Sequence, residues 1–196
     1  MQQFSYPSPQ AYRLAQYRAN KAKLSHLWAR RGNIERIAER LLQRLPVLRL
    51  GICHGTRNGW EQSWFEEFLP GCRVTGTEIA PSAEQFPRTV RWDFHRERPD
   101  WIGAADFVYS NSLDHAHDPA LALRTWLAQL AKGGTLILEW GSEHAEATES
   151  DPFGATVPEL LALIAEVGGE VDLVEDAPER PARVAELRLI YVRRKA

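Results

Sequence analysis

Cysteine, long apolar runs and a strong net charge are all scarce in this 196-residue chain. Its two cysteines, Cys53 and Cys72, provide neither a disulfide framework nor a zinc-ligand spacing, so we expect two free thiols and no metal site. No apolar signal core opens the chain and no apolar run approaches membrane-spanning length, which favours a cytoplasmic protein without membrane contact. The net charge of −2 argues against polyanion binding driven by charge alone.

The charge is nevertheless distributed unevenly. Residues 1–45 carry nine basic and two acidic side chains, a charge of +7, so the remainder carries −9. A basic arm on an acidic body could contact nucleic acid, an anionic substrate or the body itself, and a solvated helix face is the plain alternative. No RNA-binding motif accompanies the arm, so a nucleic-acid partner is not expected.

Strand-like and helix-like segments alternate along the chain, which predicts βαβ units and a mostly parallel sheet. The last strand alternates polar and apolar residues, as a half-exposed edge strand does. Residues 1–10 are expected to form an irregular lead-in. One predicted helix is capped by Asn33 and stopped by Pro46, and another, 120–131, has Gly133 at its C-terminal cap. The remaining predicted helices are 11–29, 60–69 and 158–167. The predicted strands are 47–53, 73–79, 89–92, 105–110, 135–140, 170–175 and 186–193.

Ligands of such sheets bind beyond the carboxyl ends of the strands, so the loops there hold the candidate site residues. The first loop contains Cys53, His54 and Gly55, and its glycine turn lets a ligand approach the backbone, although such turns are also common without a ligand. The second strand ends at Glu78 and Ile79, and Glu78 lies 23 positions after Gly55. A carboxylate at about that distance accepts hydrogen bonds from both ribose hydroxyls; a solvated strand end is the alternative.

The third and fourth loops add further candidates. Asp93 could accept a hydrogen bond from an exocyclic amine such as that of adenine, with Phe94 presenting a backbone group or its ring, or Asp93 simply caps a turn. In the fourth loop His115, beside a carboxylate, is the candidate catalytic base, because an imidazole takes up a proton near neutral pH; a hydrogen-bonded structural role is the alternative. Asp118 is interpreted as the N-cap of the following helix, with Pro119 at its first position.

From Leu48 to Trp140 the chain resembles the class I S-adenosylmethionine-dependent methyltransferases. The resemblance is carried by Asp106–His115 (DFVYSNSLDH), by Asp118 with the proline after it, and by Lys132–Leu138 (KGGTLIL), which is similar to the family's L-K-P-G-G turn into the fifth strand. It implies a three-layer Rossmann-like α/β sandwich with a mostly parallel seven-stranded sheet, the last strand antiparallel, and N-terminal helices packed near the site.

The resemblance also implies S-adenosylmethionine as cofactor, with its ribose at Glu78 and its adenine at Asp93. It divides the chain into a helical extension or cap, 1–45, and a methyltransferase domain, 46–196. The first loop departs from the family's Asp-x-Gly-x-Gly-x-Gly: Gly51 stands in the place of the acid, and only Gly55 remains of the three glycines. Because that acid often receives the methionine amino group, we expect Asn111 or a backbone carbonyl of the 53–55 turn to accept it instead.

The function that the resemblance implies is methyl transfer to a small-molecule, glycan or natural-product acceptor, by a monomer or a homodimer. A sulfonium donor is already activated, so alignment supplies much of the rate, and a base is needed only where the acceptor must lose a proton. The candidate bases are His115, His117 and His144. The acidic loop over 141–156 is either a lid or a disordered segment.

Two other functions are weighed against this one. A non-catalytic binding or partner protein on the same scaffold is favoured by the altered first loop. A nicotinamide-dependent dehydrogenase is disfavoured, because the Gly-x-Gly-x-x-Gly turn of that class is absent.

Overall fold

Residues 1–195 are described by a computed structural model. The helices are α1 Pro9–Ala22, α2 Arg31–Arg44, α3 Trp60–Phe68, α4 Pro119–Gln129 and α5 Val157–Glu166. The strands of the main sheet are β1 Leu50–His54, β2 Arg73–Glu78, β3 Thr89–Arg91, β4 Ala105–Ser110, β5 Leu130–Gly141, β6 Gly169–Asp176 and β7 Leu187–Arg194. The lead-in is not wholly irregular, because Gln2–Gln3 pairs with Phe153–Gly154 in a separate two-stranded ribbon.

The main sheet has seven strands in the order β3-β2-β1-β4-β5-β7-β6. Strands β1 to β5 run parallel to one another, and β7 is antiparallel to both β5 and β6. This confirms the predicted α/β sheet with an antiparallel last strand. The strand order reverses between β1 and β4, so the loops after these two strands diverge and leave a crevice between them.

Helices cover both faces of the sheet, which explains why the central strands are almost entirely apolar. Successive side chains of a strand point to opposite faces. Ile52 accordingly packs into the cluster that contains Trp126 of α4 and Leu160 of α5, whereas Cys53 packs into the cluster on the α2 and α3 side. Helix α2 is therefore part of the core layer, and the division of the chain at residue 45 stays a prediction.

Several local predictions were wrong, each because packing overrides a local signal. Helix α1 ends at Ala22 rather than at 29. Asn33 is not a cap: it is buried in the first turn of α2 and bonds across the protein. Helix α4 ends at Gln129, and Gly133, with φ +82°, bends the start of β5 instead of closing a helix. Strand β7 is interior, because β6 pairs with its outer side.

The basic N-terminal arm is partly neutralised by the body of the protein. Three arginines of α2 pair with acidic residues elsewhere: Arg31 with Glu67, Arg40 with Glu175 at 2.7 Å, and Arg44 with Asp172. These side chains are partly exposed, so each pair adds little stability. The contact between the arm and the body of the protein, one of the three considered for it, is therefore present in the structure.

Candidate functional site

Two adjoining hollows lie at the carboxyl ends of the strands, where the strand order reverses. The inner cavity is narrow, with a volume of about 40 Å³, and the outer cleft is much larger, at about 810 Å³. Lys23, Gly55, Arg57, Ser112 and His115 line both, so they mark the junction where one opens into the other. The predicted site residues that line the inner cavity are Gly55, Glu78, Ile79, Asp93, Phe94 and His115, and Asn111 lines the outer cleft.

The first loop is held tightly against the neighbouring strands. The backbone N–H groups of Gly55 and Thr56 both donate to the carbonyl of Thr77, at 2.9 and 3.0 Å. Gly55 has φ +74°, and a Cβ there would lie 2.5 Å from the Cβ of Ser112. Arg57 adopts φ +46°, a left-handed conformation that non-glycine residues rarely take and that is common at functional sites. The loop thus follows a path that only its one remaining glycine permits.

Glu78 ends β2 at the wall of the inner cavity. Only 7% of the residue is exposed, and its Oε1 accepts a hydrogen bond from the backbone N–H of Ala80 at 2.9 Å, which fixes the carboxylate. Burial raises the pKa of Glu78. Hydrogen-bond donors of a ligand would stabilise the ionised form of Glu78 and so offset the effect of burial.

Asp93 caps a turn at the wall of the inner cavity, and its contact with adenine stays a prediction. Its Oδ1 accepts two hydrogen bonds from His95, one from the backbone N–H at 3.1 Å, as a turn cap does, and one from Nδ1 of the imidazole ring at 2.8 Å. The residue also lines the inner cavity, with Phe94 beside it. Burial raises the pKa of Asp93, but the hydrogen bond and the charge of His95 lower it more, so the net shift is downward. Asp93 is therefore held as an ionised acceptor at the cavity wall.

The side chains of Cys53 and His54 point away from both hollows. Cys53 is fully buried in the hydrophobic cluster beneath α3, and its thiol is free, as is that of Cys72. The ring of His54 bonds Thr77 at 2.9 Å and Gln129 at 2.8 Å and stacks on Trp126. Burial lowers the pKa of His54 to about 4, so it is neutral. Their predicted contact with a cofactor stays a prediction, and only their backbone is available for it.

Of the three candidate bases, two line the hollows. His115 lies at the junction, where its Nδ1 donates to the carbonyl of Ser150 at 2.9 Å and lies 3.3 Å from Oδ1 of Asp151. His144 lines the outer cleft, with its Nε2 3.2 Å from Glu143. His117 instead stacks on His95, and it lines neither hollow. His115 is thus the imidazole common to both spaces.

Glu61 is a site residue that sequence reasoning missed. It lies in the first turn of α3, lines the outer cleft and is only 5% exposed. Its Oε2 has no hydrogen-bond partner within residues 1–195, and its Oε1 receives only a long contact of 3.5 Å from the amide of Asn111. Burial raises the pKa of Glu61 to about 7. An acid between Trp60 and Gln62 at the start of a helix is expected to be solvated, and only the fold turns it inward.

Helix α1 forms the outer wall of the inner cavity, in agreement with the expectation that N-terminal helices cover the site. Tyr12 is buried, and its hydroxyl donates to the carbonyl of His115 at 3.1 Å. Gln16 and Asn20 line the cavity one and two turns further along the helix. The acidic loop lies across the outer cleft, which His144 and Asp151 line, but its role as a lid stays a prediction.

None of the helices within residues 1–195 combines the length and the apolar character that a membrane span requires. No protein-family model matches the sequence, and no curated protein does.

Solved structures do match. The chain is similar to the 1,6-didemethyltoxoflavin-N1-methyltransferase of Burkholderia thailandensis, solved with 1,6-didemethyltoxoflavin and S-adenosylhomocysteine (TM-score 0.75, 16% identity, 99% of this chain and 94% of that one). It is also similar to the geranyl diphosphate C-methyltransferase of Streptomyces coelicolor, solved with Mg²⁺, geranyl diphosphate and S-adenosylhomocysteine (TM-score 0.70, 13% identity, 97% of this chain and 100% of that one). A third similar structure is that of the [4+2]-cyclase SpnF (TM-score 0.68, 12% identity, 100% of this chain and 99% of that one).

The chain therefore has the Rossmann-like fold of the class I S-adenosylmethionine-dependent methyltransferases. At these identities the likeness establishes the fold rather than the reaction, and a cyclase shares the fold. The activity has to be argued from the site.

Proposed function

We propose that this protein is an S-adenosylmethionine-dependent methyltransferase acting on a small-molecule acceptor. The observation that carries the proposal is the pair of hollows at the strand-order reversal, with a buried carboxylate, Glu78, in one and a second, Glu61, in the other. The bound S-adenosylhomocysteine of two structural neighbours supports the choice of cofactor.

The side chains that line the inner cavity offer the hydrogen-bonding groups that a nucleoside requires. Glu78 offers a fixed carboxylate to the ribose hydroxyls, and Asp93 an ionised acceptor to the adenine amine. Gly55 lets the backbone of the first loop approach the ligand where any side chain would collide with Ser112. Phe94 and Ile79 supply the apolar walls that a purine requires.

The outer cleft offers a place for the methionine end of the cofactor. With Gly51 in place of the usual acid, the amino group needs another anion. Glu61 is one of two buried carboxylates that line this cleft, and its Oε2 lacks a partner in the described chain. An ammonium group beside it would stabilise the ionised form of Glu61 and would satisfy the orphaned oxygen. Asn111, the residue expected from the sequence, contacts Glu61 and orients it.

When bound, the cofactor supplies an activated methyl group on its sulfonium. The contribution of the protein is to exclude water and to align the acceptor at the junction of the two hollows. His115 lies at that junction, and because its Nδ1 donates to Ser150, its Nε2 carries the lone pair. This nitrogen is the proposed acceptor of a proton from a substrate hydroxyl or amine.

Isothermal titration with S-adenosylmethionine tests the proposal. We expect micromolar binding that is weakened by at least about tenfold in Glu78→Gln, because a neutral amide replaces the carboxylate that accepts both hydroxyls. Glu84→Gln is the matched control: Glu84 is an exposed acid on the turn after β2, outside both hollows, and its substitution leaves the affinity unchanged. A folded protein that does not bind the cofactor overturns the proposal and favours the non-catalytic partner protein.

A further inference from the structure

A cluster of metal-ligating groups lies where the two hollows meet. One ring nitrogen of His115 and one carboxylate oxygen from each of Asp114 and Asp151 all lie within 4.8 Å of one another. The groups come from distant parts of the sequence: the loop after β4 supplies two, and the acidic loop supplies the third. All three residues line the outer cleft, so an ion would have a path of entry.

Asp114 has a buried carboxyl oxygen without a hydrogen-bond partner in this cluster. Its side chain is 9% exposed, and its Oδ1 has no hydrogen-bond partner among residues 1–195. A buried oxygen without a partner destabilises the fold unless a group that is not part of the chain satisfies it. The nearest cationic candidate, Nε2 of His144, lies 3.8 Å from the other oxygen, Oδ2, and is itself 3.2 Å from Glu143.

His115 can offer its Nε2 to an ion while its Nδ1, which lies 3.3 Å from Oδ1 of Asp151, stays bonded to the chain. Its Nδ1 donates to the carbonyl of Ser150 at 2.9 Å, which fixes the tautomer and leaves the lone pair on Nε2. A ligating imidazole almost always donates its other N–H to a carbonyl or a carboxylate in this way. Asp151 is held as well, since its Oδ2 accepts from the hydroxyl of Ser150 at 2.9 Å.

We propose that Asp114, His115 and Asp151 bind a divalent first-row transition metal ion, Mn²⁺ or Zn²⁺. One imidazole and two carboxylates suit these ions, whereas Mg²⁺ and Ca²⁺ prefer oxygen ligands alone. The ion would neutralise two carboxylates and satisfy the orphaned oxygen of Asp114. Neither the resemblance to methyltransferases nor the spacing of the cysteines predicts a metal ion at these three residues.

The position of the ion defines a class of acceptor, an inference that rests on the proposed function. Three protein ligands leave coordination positions open toward the outer cleft, and a molecule with two neighbouring oxygens can occupy them. A hydroxyl bound to the ion would lose its proton more readily, to water in the open cleft, so in the loaded protein the ion, rather than the free ring of His115, would activate the acceptor oxygen. The expected acceptors are therefore chelating: vicinal diols, hydroxy-ketones or hydroxy-acids.

Metal binding is testable without cofactor or acceptor. Mn²⁺ is titrated into the full chain, and the loss of the free-ion electron paramagnetic resonance signal gives the stoichiometry and Kd; competition with Zn²⁺ gives the second affinity. We expect one ion per chain, with the affinity reduced by at least about tenfold in Asp114→Asn and in Asp151→Asn. Glu146→Gln is the matched control, because Glu146 lines the same cleft outside the cluster; its affinity stays within about twofold.

The outcomes separate this proposal from the proposed function. Stoichiometric binding that is lost in both aspartate variants supports the site even if the protein binds no S-adenosylmethionine. Failure of the folded wild-type protein to bind either ion overturns the site, as does equal binding by the wild type and Asp151→Asn, and both leave the cofactor proposal untouched. Circular dichroism of each variant verifies folding. If Asp114→Asn does not fold, the affinity of Asp151→Asn alone tests the site.

Discussion

Replacement of Glu61 by glutamine should make the protein more stable and a weaker binder of its cofactor. Burial raises the pKa of Glu61 from 4.5 to about 7. Because the folded state holds the proton more tightly than the unfolded chain, ionisation destabilises the protein as the pH rises from about 4.5 to about 7, and the penalty is complete above that range. A shift of this size corresponds to about 3 kcal/mol.

The amide in Glu61→Gln cannot ionise, so it escapes this penalty. Urea unfolding should show the variant more stable than the wild type by up to about 3 kcal/mol at pH 8 and by about 1 kcal/mol at pH 5. Asn111 can still donate to the amide oxygen of the new side chain, so the polar contact on that side is retained. A variant that is less stable at pH 8 would refute the assignment of a buried, strained carboxylate.

The same substitution should weaken S-adenosylmethionine binding by about thirtyfold at pH 7.5, the value of one charged hydrogen bond. The affinity of the wild type should also fall as the pH drops from 7.5 to 6, because the carboxyl takes up a proton, while that of the variant stays flat. Methylthioadenosine, which lacks the amino-acid end, is the ligand control and should bind both proteins equally.

Glu139→Gln is the protein control for Glu61→Gln. Burial raises the pKa of Glu139 to about 7 as well. Its oxygens, however, accept hydrogen bonds from Tyr109 at 2.7 Å and Asn33 at 2.9 Å, and it lines neither hollow. It should therefore leave the cofactor affinity unchanged. Equal losses of affinity in both variants would mean that general electrostatics, rather than an ammonium contact at Glu61, is responsible.

Three further predictions concern the walls of the site. Gly55→Ala should cost about 2 kcal/mol in urea unfolding and weaken S-adenosylhomocysteine binding, because φ is +74° and the added methyl meets Ser112; an unchanged stability would contradict the loop geometry. Asp118→Ala should cost about 1 kcal/mol through loss of the 2.9 Å cap on Leu121, with no change in cofactor affinity by calorimetry. Tyr12→Phe should cost about 1 kcal/mol and speed amide hydrogen exchange across α1, because it removes the bond to His115; unchanged exchange would mean that this bond does not hold the helix.

The parallel sheet was predictable because its strands are short apolar runs bounded by glycine and polar turns. The location of Glu78 and Gly55 at the same cavity was predictable for the same reason, because parallel strands bring their carboxyl ends to one edge of the sheet. Asp118 was also predictable, because an N-cap is a local interaction between a side chain and the next turn.

What the sequence could not reveal depends on packing between distant segments. Glu61 is charged and precedes Gln62, so nothing local indicates that the fold buries it. Asn33 has the chemistry of a cap but is used to bond the interior carboxylate of Glu139. Toward its ends the sequence of β7 alternates polar and apolar residues, which is typical of an edge strand. In the fold, β6 pairs with the outer side of β7, and Leu189 and Ile190 pack into the two different hydrophobic clusters.

The most direct test of the central claim is a crystal structure with S-adenosylhomocysteine. The account predicts ribose hydroxyls on the carboxylate of Glu78, the adenine between Phe94 and Ile79, and the amino group on Glu61. A nucleoside bound elsewhere on the protein, or an inner cavity that stays filled by α1 at saturating ligand, would contradict it.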